Sequence, residues 1–282
     1  MNWNGLLLPD GAYHVEDDVV IYCGDCLKTM PNIPDKSIDM ILCDLPYGTT
    51  ACKWDTRIPL EPLWEQYKRI IKKNGAIVLT ASQPFTSVLV MSNIEWFRYE
   101  WIWHKNLGGG FATCNQRPMK RHENLLVFYQ RRPIYNPQYQ EYNESTKIRF
   151  KNGDKVNRAK QFRKSTNQIN AGLSLRGFSS FDFKRGKYPE SVQYFKSEHI
   201  ANFNRLHPTQ KPVALFEYLI KTYTNEGDLV LDNCAGSGTT AIACLNTNRN
   251  YILMEKEPKY YEIILERIKN HVIQGKMEVV AS

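Results

Sequence analysis

DLVLDNCAGSGTT, residues 228–240, passes from an apolar run through a glycine-rich turn into a stretch with helical periodicity. Leu229, Val230 and Leu231 have the make-up of a buried strand, and the period that follows predicts a helix over about 237–247. Gly236 and Gly238 allow a tight turn and a close backbone approach, and the helix that starts there directs its first N–H groups at a ligand. Strand, turn and helix in that order are the unit of an α/β sheet, which binds ligands beyond the carboxyl ends of its strands. The turn lacks the third glycine of the G-x-G-x-x-G dinucleotide fingerprint and the lysine of a phosphate loop. Both absences count against a nicotinamide cofactor or a nucleoside triphosphate.

The same alternation extends in both directions. Short apolar or aromatic runs bounded by turn residues predict strands at 18–25, 37–44, 75–82, 99–105, 124–130 and 250–256. Amphipathic periodicity predicts helices at about 60–73, 84–93, 212–224 and 257–271. The final GKMEVVAS reads as an edge strand or a loose tail. The expected fold is α/β, with a mostly parallel sheet and helices on both faces.

Charge divides the chain unevenly. The net formal charge is +8, yet Arg131–Arg205 holds 16 Lys/Arg against 6 Asp/Glu and the remainder 21 against 23. Tyr135, Tyr139, Tyr142, Phe150, Phe162 and other rings are interleaved with these charges. Cations for phosphates and rings for bases make this segment a candidate nucleic-acid surface, as opposed to a merely solvated insertion. Lys147, Arg149, Lys151, Lys155, Arg158, Lys160, Arg163 and Lys164 are its candidate DNA-binding cations, and Asn157 to Asn170 its candidate base readers. The glycine-rich, basic stretch Lys105–Arg121 is the alternative grip. The expected organisation is a catalytic half at 1–130, a recognition insertion at 131–205 and a cofactor-binding half at 206–282.

No stretch approaches the roughly 20 apolar residues of a membrane span. The start MNWNGLLLPDGAYH lacks the basic region and long apolar stretch of a secretory signal, so a cytoplasmic location is expected. Seven cysteines form an odd set, mostly within apolar patterns, which suits reduced thiols. CGDC at 23–26 has no second Cys/His pair at ligand spacing, so no metal site is expected.

Acids close the predicted strands. Asp25, Asp44, Asp232 and Glu255 each end or nearly end an apolar run; helix capping is the simpler role for Asp232 and Asp25. Glu255 follows Gly238 by 17 residues, where an acid can accept from both hydroxyls of a ribose. Together with the glycine turn, it favours an adenosine ligand without a pyrophosphate.

Six motifs carry a family resemblance. GDC (24–26), DLPYG (44–48), RHENLLVFY (121–129), HPTQKP (207–212), DNCAGSGTT (232–240) and EKEPKYYE (255–262) resemble, in this order, the β-class amino-group DNA methyltransferases. Leu45 stands where that family's Asp-Pro-Pro-Tyr has its first proline, and DNCAGSG where it has Asp-Pro-Phe-x-Gly-Ser-Gly. The resemblance implies a Rossmann-like, circularly permuted fold with a seven-stranded sheet and an inserted recognition region, using S-adenosylmethionine on DNA.

It also implies roles. Asp44 and the main-chain carbonyl of Pro46 would accept hydrogen bonds from an exocyclic amino group, favouring the pyramidal nitrogen whose lone pair can attack, while Tyr47 stacks on the base. Asp25 and Cys26 would lie near the cofactor's adenine and Glu255 on its ribose. Asp232, Gly236, Ser237 and Gly238 would wrap the methionine side, with His207, Thr209 and Lys211 receiving its carboxylate. Thr209 can also cap the helix that starts near Pro212.

Adenine N6 is the expected target. Cytosine members of the resembled family more often carry serine at the position of Asp44, which leaves N4-cytosine methylation as the rival. A silent DNA-binding subunit of the same fold would not need Asp44, Pro46 and Tyr47. A second copy of the chain is a further candidate partner.

Overall fold

Runs of β-branched and aromatic residues alternate with amphipathic segments, and each class adopts its own period. The computed structural model describes residues 13–16, 19–49, 55–151, 186–197 and 210–281. In chain order these form β1 (Tyr13–Glu16), β2 (Val19–Cys23), α1 (Cys26–Thr29), β3 (Ile38–Cys43), α2 (Leu60–Ile70), β4 (Ile71–Ala81) and α3 (Phe85–Ser92). There follow β5 (Phe97–Gly109), β6 (Lys120–Phe128), α4 (Glu144–Lys151), β7 (Val192–Tyr194), α5 (Val213–Tyr223), β8 (Leu229–Asp232), α6 (Thr239–Asn246), β9 (Asn250–Glu255) and α7 (Pro258–Ala281).

The sheet order is β1-β2-β9-β8-β3-β4-β6-β5-β7. From β2 through β4 every neighbouring pair is parallel. β6 runs antiparallel to both β4 and β5, β1 antiparallel to β2, and β7 parallel to β5. The strands from β2 to β5 are the expected seven, and the short β1 and β7 extend the sheet at its edges. The glycine-turn strand β8 is late in the chain but central in the sheet, between β9 and β3.

Both faces of the sheet are covered, which is why β3 and β8 are apolar without alternation. Ile41 and Cys43 of β3 join a cluster with Leu63, Trp64, Tyr67 and Ile70 of α2 and Phe85 and Leu89 of α3. Met40 and Leu42 join the opposite cluster, with Leu215, Phe216, Leu219 and Ile220 of α5, Ala241 of α6 and Ile264 of α7. The buried residues of α2 recur at i, i+1, i+4 and i+7, one stripe of a 3.6-residue period.

Two expected boundaries are corrected. The helix expected over 60–73 stops at Ile70, because Ile71 pairs with Ile38 and Lys72 donates to both oxygens of Asp39 at 2.6 and 2.7 Å, drawing the chain into β4. Of GKMEVVAS, residues 275–281 are neither strand nor loose tail: α7 runs to Ala281. Gly275 costs that helix about 1 kcal/mol, but Lys276, Met277 and Glu278 favour it.

The chain divides into two units, residues 1–136 with 191–282, and residues 137–190. The first contains the sheet. Within the second, Gln140 and Lys187 exchange backbone hydrogen bonds of 2.9 and 2.7 Å, and Tyr139 lies 5.0 Å from Tyr188, centroid to centroid.

Candidate active site

Five acids and hydroxyls converge because parallel strands deliver their carboxyl ends to one rim. A cleft of about 640 Å³ there is lined by Asp25 after β2, Asp44 after β3, Ser82 after β4, Asp232 of β8 and Glu255 of β9. Cys26, Pro46, Tyr47, Lys211, Gly236 and Ser237 line it too. Gly238 does not. With φ at +77° it turns the chain into α6, and a Cβ there would stand 3.1 Å from Ile264 of α7, so close helix packing requires the glycine.

At the β3 end, Asp44 Oδ1 accepts from the hydroxyls of Tyr47, at 3.0 Å, and Thr80. Its Oδ2 accepts from Lys211 Nζ at 2.6 Å. Lys211 also lies 3.5 Å from Glu123 Oε2, and Glu123 is paired with Lys105. Burial pushes the Glu123 carboxyl up, but Lys211 and Lys105 outweigh it and hold it below its ordinary value. Burial likewise pushes Lys211 down, and Asp44 and Glu123 reverse the shift. The centre is therefore two carboxylates interleaved with two ammonium groups.

The loop after Asp44 is braced. Gly48 and Thr49 donate their N–H groups to Asp55 at 2.8 and 2.9 Å, and Arg57 Nε donates to the Tyr47 carbonyl at 2.7 Å. The Tyr47 ring stacks on Phe85 at 5.4 Å with 25° between planes. Burial raises the Tyr47 hydroxyl well above its ordinary value, so it remains a donor at neutral pH.

At the other end of the cleft, Glu255 Oε2 accepts from Gly236 N at 2.7 Å and Oε1 from Glu257 N at 2.8 Å. Burial raises its pKa to about 7. Asp232 accepts from Cys234 N at 3.0 Å and from the Thr240 hydroxyl, so it does cap the turn, and burial raises it to about 6. Asp25 caps α1 through Leu27 N at 2.9 Å. Asn233, beside the glycine turn, accepts from Tyr67 at 2.5 Å. These acids can accept from ribose and amino donors, and the turn offers no lysine for a phosphate. An adenosine bearing a cationic sulfonium fits that set of acceptors.

Lys211 stands on the Asp44 carboxylate, at the β3 end of the cleft. His207 and Thr209 lie outside the described residues. Of the candidate DNA-binding cations, Lys147 pairs with Glu141 at 3.0 Å and Glu144 at 2.9 Å. Arg149 and Lys151 are on α4, and Lys155, Arg158, Lys160, Arg163 and Lys164 lie outside the described residues, as do Asn157 to Asn170.

The sequence assigns no role to Thr80 or Glu123, and places Lys105 only at the edge of the alternative DNA grip, not in this cluster. Glu123 is near the start of its strand, and reading only strand ends passes over it. Because β6 is antiparallel, its beginning reaches the rim where the parallel strands finish. The charged cluster RHE at 121–123 just before an apolar run is the signal that could have found it.

A family model described as DNA methylase matches residues 38–266. The chain is 29% identical over 265 residues to the Type II methyltransferase M.HpaI of Haemophilus parainfluenzae, covering 89% of this chain and 74% of that protein. It is 26% identical to the DNA adenine methyltransferase YhdJ of Escherichia coli K12, covering 87% and 81%. In fold it resembles the M1.HpyAVI–SAM complex, with TM-score 0.57, 24% identity and coverage of 88% and 98%. It also resembles the cytosine-N4-specific PvuII DNA methyltransferase, with TM-score 0.59, 15% identity and coverage of 89% and 90%.

Proposed function

The chain belongs to the DNA methylase family, and from that premise we propose that it methylates the N6 amino group of adenine in DNA, with S-adenosylmethionine as donor. One observation carries the reading: Asp44, Pro46 and Tyr47 share a cleft with the glycine turn and Glu255. S-adenosylmethionine, when bound, supplies an electrophilic methyl group on sulfur. Glu255 and Asp25 would hold its adenosine, and Asp232, Gly236 and Ser237 its methionine part.

The remaining chemistry is the chain's own. The lone pair of an exocyclic amino group is delocalised into the base ring. A hydrogen bond to Asp44 and one to the Pro46 carbonyl draw the nitrogen pyramidal and localise that pair. The stacked, braced Tyr47 offers its remaining ring surface to a base taken out of the duplex. As the nitrogen gains positive charge, Asp44 stabilises it, and Glu123 provides the alternative partner for Lys211 while Asp44 is engaged. Residues 131–205 are read as the target-recognition region, placed on DNA by their basic excess.

Aspartate at position 44 supports adenine. The fold likeness to an N4-cytosine enzyme supports the second reading, since the same acceptor pair serves either amino group. Incubation of unmethylated genomic DNA with the protein and S-adenosylmethionine, then nucleoside mass spectrometry and single-molecule sequencing, tests it. N6-methyladenine at one short motif is expected; N4-methylcytosine would replace the adenine assignment.

A further inference from the structure

β5 and β6 do not end at the rim of the cleft. Their pairing continues through His104 with His122 and Gly109 with Lys120, past Lys105 and Glu123, which line the cleft. The hairpin they form is capped by a tip with Phe111 on it. That ring is 78% exposed, the most of any large apolar side chain among the described residues, and Leu107 at 50% and Met119 at 41% flank it.

The tip is folded. Gly110 adopts φ +89°, and successive turns close through Thr113 N to Gly110 O at 3.0 Å, Cys114 N to Phe111 O at 3.1 Å and Arg117 N to Thr113 O at 3.1 Å. A Cβ on Gly108 would meet Met119 Cβ at 3.0 Å, so the two legs pack closely. Phe111 is thus held out in water by a defined turn. Residues 105–123 carry Lys105, Arg117, Lys120 and Arg121 against one acid, Glu123. Arg117 and Arg121 are exposed, so an apolar point flanked by cations tops a hairpin whose base, at Lys105 and Glu123, lines the cleft.

That combination suits duplex DNA: phosphates meet the cations and an exposed ring finds apolar surface only by entering the base stack. We propose that Phe111 is a wedge inserted into the duplex beside the target base, filling the gap left when that base moves to Asp44. The inference rests on the methyltransferase reading above and adds a residue that opens the duplex, distinct from those that hold the amino group.

The test uses a duplex carrying the sequence motif mapped by single-molecule sequencing, with the target base opposite either its partner or an abasic position. An unpaired target has less to gain from a wedge. Phe111→Ala is expected to lower kcat/KM about tenfold or more on the paired duplex and to stay within about threefold of wild type on the abasic one. Phe111→Trp, which keeps a ring, is expected to retain activity on both. Equal losses on the two duplexes, or no loss on either, would overturn the wedge. A wild-type protein that modifies neither duplex would instead overturn the methyltransferase reading.

Discussion

Lys211 Nζ lies 2.6 Å from Asp44 Oδ2 and 3.5 Å from Glu123 Oε2, so one buried ammonium group is shared by the carboxylate that ends β3 and the carboxylate near the start of β6. Lys211 engages Oδ2 of Asp44 and the Tyr47 and Thr80 hydroxyls engage Oδ1, so an incoming amino group would compete at either oxygen. In the proposed reaction, capture of the amino group at Oδ2 of Asp44 would require Lys211 to change partner, with Glu123 as the alternative acceptor.

Replacing Asp44 with Ala removes an acceptor whose value is greatest when the attacking nitrogen becomes charged. By comparison with loss of one preorganised hydrogen bond at a reacting centre, the barrier rises by about 2.7–4 kcal/mol. Single-turnover methyl transfer should fall accordingly while S-adenosylmethionine still binds. A mutant as fast as wild type would remove Asp44 from the mechanism.

Glu123→Gln leaves Lys105 without its ion-pair partner and gives Lys211 wholly to Asp44. Breaking a buried pair by removing one partner costs about 3 kcal/mol at the low end, fitting here because Lys211 keeps Asp44. The urea midpoint should drop, and turnover should fall because Lys211 competes for Asp44. The sign of the pH effect follows from the direction of the shift. Glu123 is held below its ordinary value of 4.5, so its contribution is present above that pH and lost as pH falls through the lower folded value. A wild type and mutant with parallel stability curves below pH 4.5 would show that the pairing is energetically idle.

Glu255 has the opposite shift, raised to about 7 from 4.5 by burial. The folded chain keeps a proton here that the unfolded chain releases, so this group's contribution to stability is lost as pH rises through about 7; Asp232, raised to about 6, behaves alike. Ribose hydroxyls donate to the ionised form. Affinity for S-adenosylmethionine should therefore rise about tenfold between roughly pH 6 and 8, and Glu255→Gln should bind weakly with a flat profile. Calorimetric titrations across that range decide it: a wild-type affinity independent of pH would move the ribose contact off Glu255.

The basic segment should set the salt dependence of DNA binding. Each phosphate contact adds about 0.9 to the magnitude of the slope of log affinity against log salt. Reversing Lys147, Arg149, Lys151 and Lys155 to Glu should weaken binding to every sequence and flatten that slope. Lys147 should contribute least, since Glu141 and Glu144 already neutralise it. An unchanged slope across a salt series would transfer the phosphate contacts to Lys105–Arg121.

Local physics wrote part of this protein legibly into its sequence. The alternation of strand and helix, the acids Asp25, Asp44, Asp232 and Glu255 at strand ends, and the glycine turn before α6 each depend on residues adjacent in the chain, so periodicity and turn chemistry suffice to read them. What no local pattern encodes is which distant residues meet. Glu123 reaches Lys211, 88 positions away, only because β6 enters the sheet antiparallel and presents its first residues at the rim where the parallel strands finish. Gly236 and Gly238 look equivalent in sequence, but one lines the cleft while the other makes room for Ile264 of α7. The helix start after Pro59 and the heptad-like stripe of α2 were readable, yet its end at Ile70 was not, because the lateral pairing of Ile71 with Ile38 overrides helix propensity there. Sequence determined the elements and the chemical groups they carry; strand direction and sheet order, which are long-range hydrogen-bonding choices, decided how those groups are combined.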